Sequence, residues 1–166
     1  ANSASGHAAG PVPASVPLPA PASAPGHVSG ATGGTVATPA YPAGTQIVAV
    51  DEPVEAGDVL ALDAARTGKI VRATAAADGG VVGIVAGDRG QWWSGSAPLA
   101  MAGAIVLVKA DATNAPIAAT DLLVSSALPG YATKAPVSAQ PGTIVAKALE
   151  PLPAGTGTIR VLVMSR

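Results

Sequence analysis

No cysteine occurs in the 166 residues, so neither a disulfide framework nor a thiolate metal site can form, and the redox compartment cannot be read from thiol usage. Phenylalanine is absent too, and the aromatics reduce to Tyr41, Trp92, Trp93 and Tyr131. Any core must then be built from Val, Ile, Leu and Ala. Such small side chains predict a thin, tightly packed body, or one that gains burial from neighbouring copies. Charge is scarce, at 11% of residues against about 25% in an average soluble protein. Nine Lys/Arg against ten Asp/Glu leave a formal net charge of -1, which removes the positive field that nucleic acid requires. No window reaches the ~20 apolar residues of a membrane span.

Glycine and proline fill the gap, with 20 and 16 residues, a combined share about twice the usual one. The first charged side chain is Asp51, and residues 1–42 hold eight of the sixteen prolines among Ala, Ser, Gly and Thr. Proline lacks a donor and restrains the residue before it. The run PVPASVPLPAPASAP at residues 11–25 is therefore expected to be extended and polyproline-like. Composition alone also fits a disordered linker. Against that stand the missing charge and the apolar Val12, Val16 and Leu18, which suit an arm lying on another copy. Residues 1–42 lack the basic start and continuous apolar run of an export signal, and their Ser and Thr residues permit O-linked sugars.

From Thr45 onward, short β-branched runs alternate with Gly, Pro, Asp and Asn. Residues 46–50, 58–62, 69–74, 81–86, 104–110, 121–126, 131–135, 143–149 and 158–164 read as strands. The spacing predicts an all-β barrel or sandwich over residues 43–166, preceded by the arm. Residues 54–86 also align with 117–148, pairing Asp58 with Asp121, Gly68 with Gly130 and Gly80 with Gly142. Asp accepts backbone N–H bonds inside turns and Gly tolerates positive φ. The pattern predicts a pseudo-twofold β-barrel or β-clip-like unit in which each half completes the other's sheet.

Catalytic chemistry is thin. The only histidines, His7 and His27, lie in the arm, far in sequence from any nucleophile that would need a base. Ser125 and Ser126 follow Asp121 closely, and Ser94 and Ser96 sit in GQWWSGS; all read best as strand-end or loop residues. Asp51, Glu52 and Glu55 form one local acidic group, better explained as a solvated turn than as a cation site. No phosphate-binding glycine loop opens a helix. No catalytic, cofactor or metal residue is assigned. Trp92 and Trp93 are adjacent, so in extended chain one faces inward and the other outward. The pair suits a loop lid on a small core and a subunit interface equally well and, less well, a sugar platform.

AGDVLALD at 56–63, VVGIVAGD at 81–88, APLAMAGAIVLVKAD at 97–111, APIAATDLLVSSALPGYATKA at 115–135 and PGTIVAKALEPLPAGTGTIRVLVM at 141–164 together resemble a β-rich C-terminal domain. That domain is found in phage tail-fibre and appendage proteins and in secreted bacterial proteins, the peptidase G2-like autoproteolytic group. The resemblance covers about 120 residues, and LLVSS…PGYA and KALEPL…GTG are its most specific strings. It implies an exported or particle-associated domain that works by assembly. For some members it also implies self-cleavage through Asp and Ser, an activity not carried onto this chain.

The expectation is a non-enzymatic structural subunit of an extracellular filament, fibre or phage-like particle. Its partners are copies of itself, through Val12, Val16 and Leu18 on the arm and Trp92 and Trp93 on the domain. The rival readings are a glycan-binding adhesive module and an autoproteolytic domain.

Overall fold

The computed structural model describes residues 43–164; the expected arm, with Val12, Val16 and Leu18, lies outside the described residues. The described chain is all-β. Its strands are β1 (Thr45–Ala49), β2 (Val54–Glu55), β3 (Val59–Leu62), β4 (Ile70–Arg72), β5 (Val81–Ile84), β6 (Trp92–Trp93) and β7 (Ser96–Ala100). They continue with β8 (Ile105–Ala112), β9 (Leu122–Ser125), β10 (Ala132–Lys134), β11 (Ile144–Ala148) and β12 (Gly155–Val163).

Strands β8 to β12 close into a five-stranded barrel in the order β10-β8-β12-β11-β9, with the parallel β8–β10 pair completing the ring. The first half follows the same order more loosely. Strand β3 sits between β4 and β5, as β9 sits between β10 and β11, and both sets carry a register shift on the β5 or β11 side. Strand β1 pairs with β7 as β8 pairs with β12. The joint between β5 and β7 is a single bridge, Val85 to Leu99, which corresponds to the Ala148–Val161 pair of the full ladder. Between the chain just after β1 and β4 the described residues make one backbone bond, from the Asp51 N–H to the Ile70 carbonyl at 3.2 Å. Only the second half closes into a ring; the first leaves its strands in three sheets, β1-β7, β2-β6 and β4-β3-β5, and neither half completes its neighbour's sheet.

The matching turns explain why the halves fold alike. In Glu55–Asp58 the Asp58 carboxylate accepts the Glu55 N–H at 2.8 Å, and in Ala118–Asp121 the Asp121 carboxylate accepts the Ala118 N–H at 2.8 Å. Each carboxylate satisfies a donor that the tight turn would otherwise orphan. The third turn residue has positive φ in both, Gly57 at 88° and Thr120 at 79°.

Strand alternation sends two sets of side chains into two cores. Val50, Val54, Leu60, Val85, Ala97 and Leu99 fill the first half. The second core runs through the closed barrel and continues into the first half through Val59, Ala61, Ala73, Ile84 and Ala86. These last residues lie on the outer face of the first half and are buried by the second half. Strand β7 is not apparent in the sequence because Pro98 interrupts it. In the structure Pro98 faces Ile47 next to a hydrogen-bonded pair, so its missing N–H points away from β1 and breaks no bond of that ladder.

Candidate functional site

The turn Glu55–Asp58 meets the second half at a charged seam. Lys109, on the outward side of β8, places its Nζ 2.8 Å from Asp58 Oδ1 and 2.5 Å from Glu55 Oε2. Asp58 is fully buried, so the ammonium compensates a carboxylate that water cannot reach. Burial pulls the Lys109 pKa down, but the hydrogen bonds that its ammonium donates to Asp58 and Glu55 outweigh it and hold the group above its ordinary value. The same Nζ lies 5.7 Å from the Trp92 ring centre and 5.9 Å from that of Tyr131, within cation–π range of both.

Backbone bonds stitch the rest of the seam. The Lys109 N–H donates to the Gly57 carbonyl at 2.9 Å, the Val59 N–H to Gly130 at 2.8 Å, and the Gly130 N–H to Ala73 at 2.9 Å. Ser125 donates its hydroxyl to the Ala75 carbonyl and accepts the Asp78 N–H, each at 2.8 Å.

The equivalent surface of the second half has no such cover. There Thr120, Asp121, Leu122, Pro136, Val137 and Ile144 line an open groove of about 570 Å³. Its polar wall is Asp121, paired with Lys134 at 2.9 Å. The Ala118 N–H and Lys134 keep the Asp121 carboxyl below its usual pKa.

The residues singled out in the sequence scatter accordingly. Trp93 pairs with Val54 and packs on the first core as a lid, over Gly87, where a Cβ would collide with the indole. Trp92 points outward, 58% exposed. Asp51, Glu52 and Glu55 each take a different cation, Lys69, Arg72 and Lys109. Among the described residues no three metal-capable side chains gather. Ser126 donates to Asp111 Oδ2 at 2.8 Å, while Asp121 is engaged elsewhere. Asp111 also accepts the Thr113 hydroxyl and N–H. The Thr113 hydroxyl, helped by the Thr113 N–H and by Ser126, lowers the Asp111 pKa against the opposing effect of burial. A carboxylate so stabilised is a poor base.

Lys109, Tyr131 and Thr120 carry the seam and the groove, yet sequence reasoning passed over them. The available signals were a lysine inside the apolar run AIVLVKA and a threonine where the first repeat has glycine. No protein-family model matches this chain, and no curated protein matches it.

Proposed function

We propose that this protein is a non-enzymatic building block that assembles with copies of itself into an extracellular filament, fibre or phage-like particle. The carrying observation is the set of large apolar side chains left open on the strands and turns of the domain. Trp92 is 58% exposed, and Leu122 and Val137 stand open beside the groove. Exposed apolar surface of this kind marks sites of association. A net charge of -1 opposes close packing little. The likeness to phage appendage and secreted bacterial domains fits the same reading, with residues 1–42 as an arm that packs on adjacent copies.

Light scattering of the full chain against residues 43–166, over a range of concentrations, tests it. The full chain is expected to grow in mass with concentration and the shortened chain to grow less. A full chain that stays monomeric throughout removes the proposal, and equal growth of both removes the arm from it. Trp92 favours a second reading, a glycan-binding module, because an outward indole can stack on a sugar ring. Retention on polysaccharide that Trp92→Ala abolishes would select that reading.

A further inference from the structure

The seam inside the molecule is heterologous: one face of the first half meets a different face of the second. Each half carries both faces, so two are left over, the groove face on the second half and the opposite face on the first. We propose that they join, the first half of one copy docking on the groove of the next, so that copies repeat the internal seam head to tail. The inference rests on the self-assembly reading and specifies its contact.

Burial on the two sides carries the argument. Val59 and Ala86 are 0% and 1% exposed under the second half, whereas their counterparts Leu122 and Leu149 are 41% and 42% exposed. Ser125, which covers Ala75 and Asp78 in the seam, is 0% exposed; its counterpart Leu62 is 49% exposed. A leucine thus stands where a second copy would meet Val137, the counterpart of Ala75, together with the apolar groove wall.

Backbone groups match as well. In the seam, Gly57 accepts the Lys109 N–H, while Gly130 accepts the Val59 N–H and donates to Ala73. The counterparts on the groove side are the Thr120 carbonyl, the Leu122 N–H and the Ala135 carbonyl, and among the described residues none of the three has a partner. The counterparts on the opposite face are the Ala49 N–H and both backbone groups of Gly68. The Val50 N–H bonds to Gly95, so the alternation of the β1–β7 ladder turns the Ala49 N–H away from β7. Gly68 has no partner among the described residues and nothing within 4 Å of where its Cβ would be. Two acceptors and one donor on one face therefore meet two donors and one acceptor on the other. The Lys109 clamp is not reproduced, since Ala49 stands in its place and Asp121 is already paired with Lys134. The intermolecular contact is then more apolar and weaker than the internal one. A heterologous contact of this kind gives a ring when its rotation closes and an open filament when it does not.

The absence of cysteine makes the test clean. Under mild oxidation, the full-length double variant Leu62→Cys/Val137→Cys is expected to give a covalent ladder on a non-reducing gel. Either single variant alone should give monomer, and a mixture of the two singles should give dimer only. Val137→Arg should at least halve the mass gained on concentration while leaving the circular dichroism spectrum unchanged. Dimers from Val137→Cys alone would mean a symmetric contact and overturn the inference. Cross-linking of Val137→Cys to Val16→Cys but not to Leu62→Cys would give the groove to the arm, with the same effect. Assembly without any Leu62–Val137 link would sink the head-to-tail contact alone. A chain that neither links nor grows in mass would sink the self-assembly reading with it.

Discussion

Thr120 holds φ at 79° on the turn position that Gly57 fills at 88° in the first half. A β-branched residue in the left-handed region is strained, and only the surrounding bonds keep it there. Those bonds are the Thr120 N–H to Ala148 and the Ala148 N–H to Asp121, both 2.8 Å.

Thr120→Gly is expected to stabilise the fold by about 1 kcal/mol, relief of the strain exceeding the entropy that glycine adds to the unfolded chain. Thermal denaturation should show the midpoint rising by roughly 4 °C. An unchanged or lower midpoint would mean that the turn carries no strain.

Gly130 and Gly68 occupy matching turns with almost the same φ, 79° and 77°, but a Cβ at Gly130 would fall 2.6 Å from Asp58 Oδ1, while at Gly68 it would meet nothing. Gly68→Ala should therefore cost about 1 kcal/mol, the backbone term alone. Gly130→Ala should cost about 3 kcal/mol, because it also pushes on a buried carboxylate. Urea titrations of the two variants compare them directly, and equal losses would argue against the seam.

Lys109→Met keeps the aliphatic stem but strands Asp58 without a counter-charge. The expected loss is about 3 kcal/mol, most of it recovered when Asp58→Asn is added. Additive losses in that double-mutant cycle would mean that the two groups do not interact.

Asp111 sets part of the acid limit of stability. Its folded pKa is depressed, first by the Thr113 hydroxyl. The resulting stabilisation is fully present above the unfolded value of about 3.9 and fades as pH falls through the lower folded value. Asp111→Asn should therefore lower stability at pH 7 by about 1.5 kcal/mol and flatten its decline below roughly pH 5. A variant with an unaltered acid slope would remove Asp111 from the linkage.

Much of the fold was legible because turn chemistry is local. The Asp58 and Asp121 turns, with Gly68, Gly130, Gly80 and Gly142, mark the repeat in the sequence, and the β-branched runs between them fall on β3, β4, β5, β9, β10 and β11. Strands β2, β6 and β7 were not legible. The first two are only two residues long, and β7 contains Pro98 and little β-branching. The seam was hidden for another reason. Lys109 and Asp58 are 51 residues apart, and nothing local in either segment announces the other. The groove was hidden likewise, since it exists only as the uncovered twin of a covered face.

The lone Val85–Leu99 bridge has a mechanical consequence. Strands β5 and β7 are fastened at one point, whereas their counterparts β11 and β12 are joined over three residue pairs inside a closed ring. Tension along the chain would then unroll the N-terminal half first while the C-terminal half stays shut. Every molecule would carry its own extensible section in series with a stiff one.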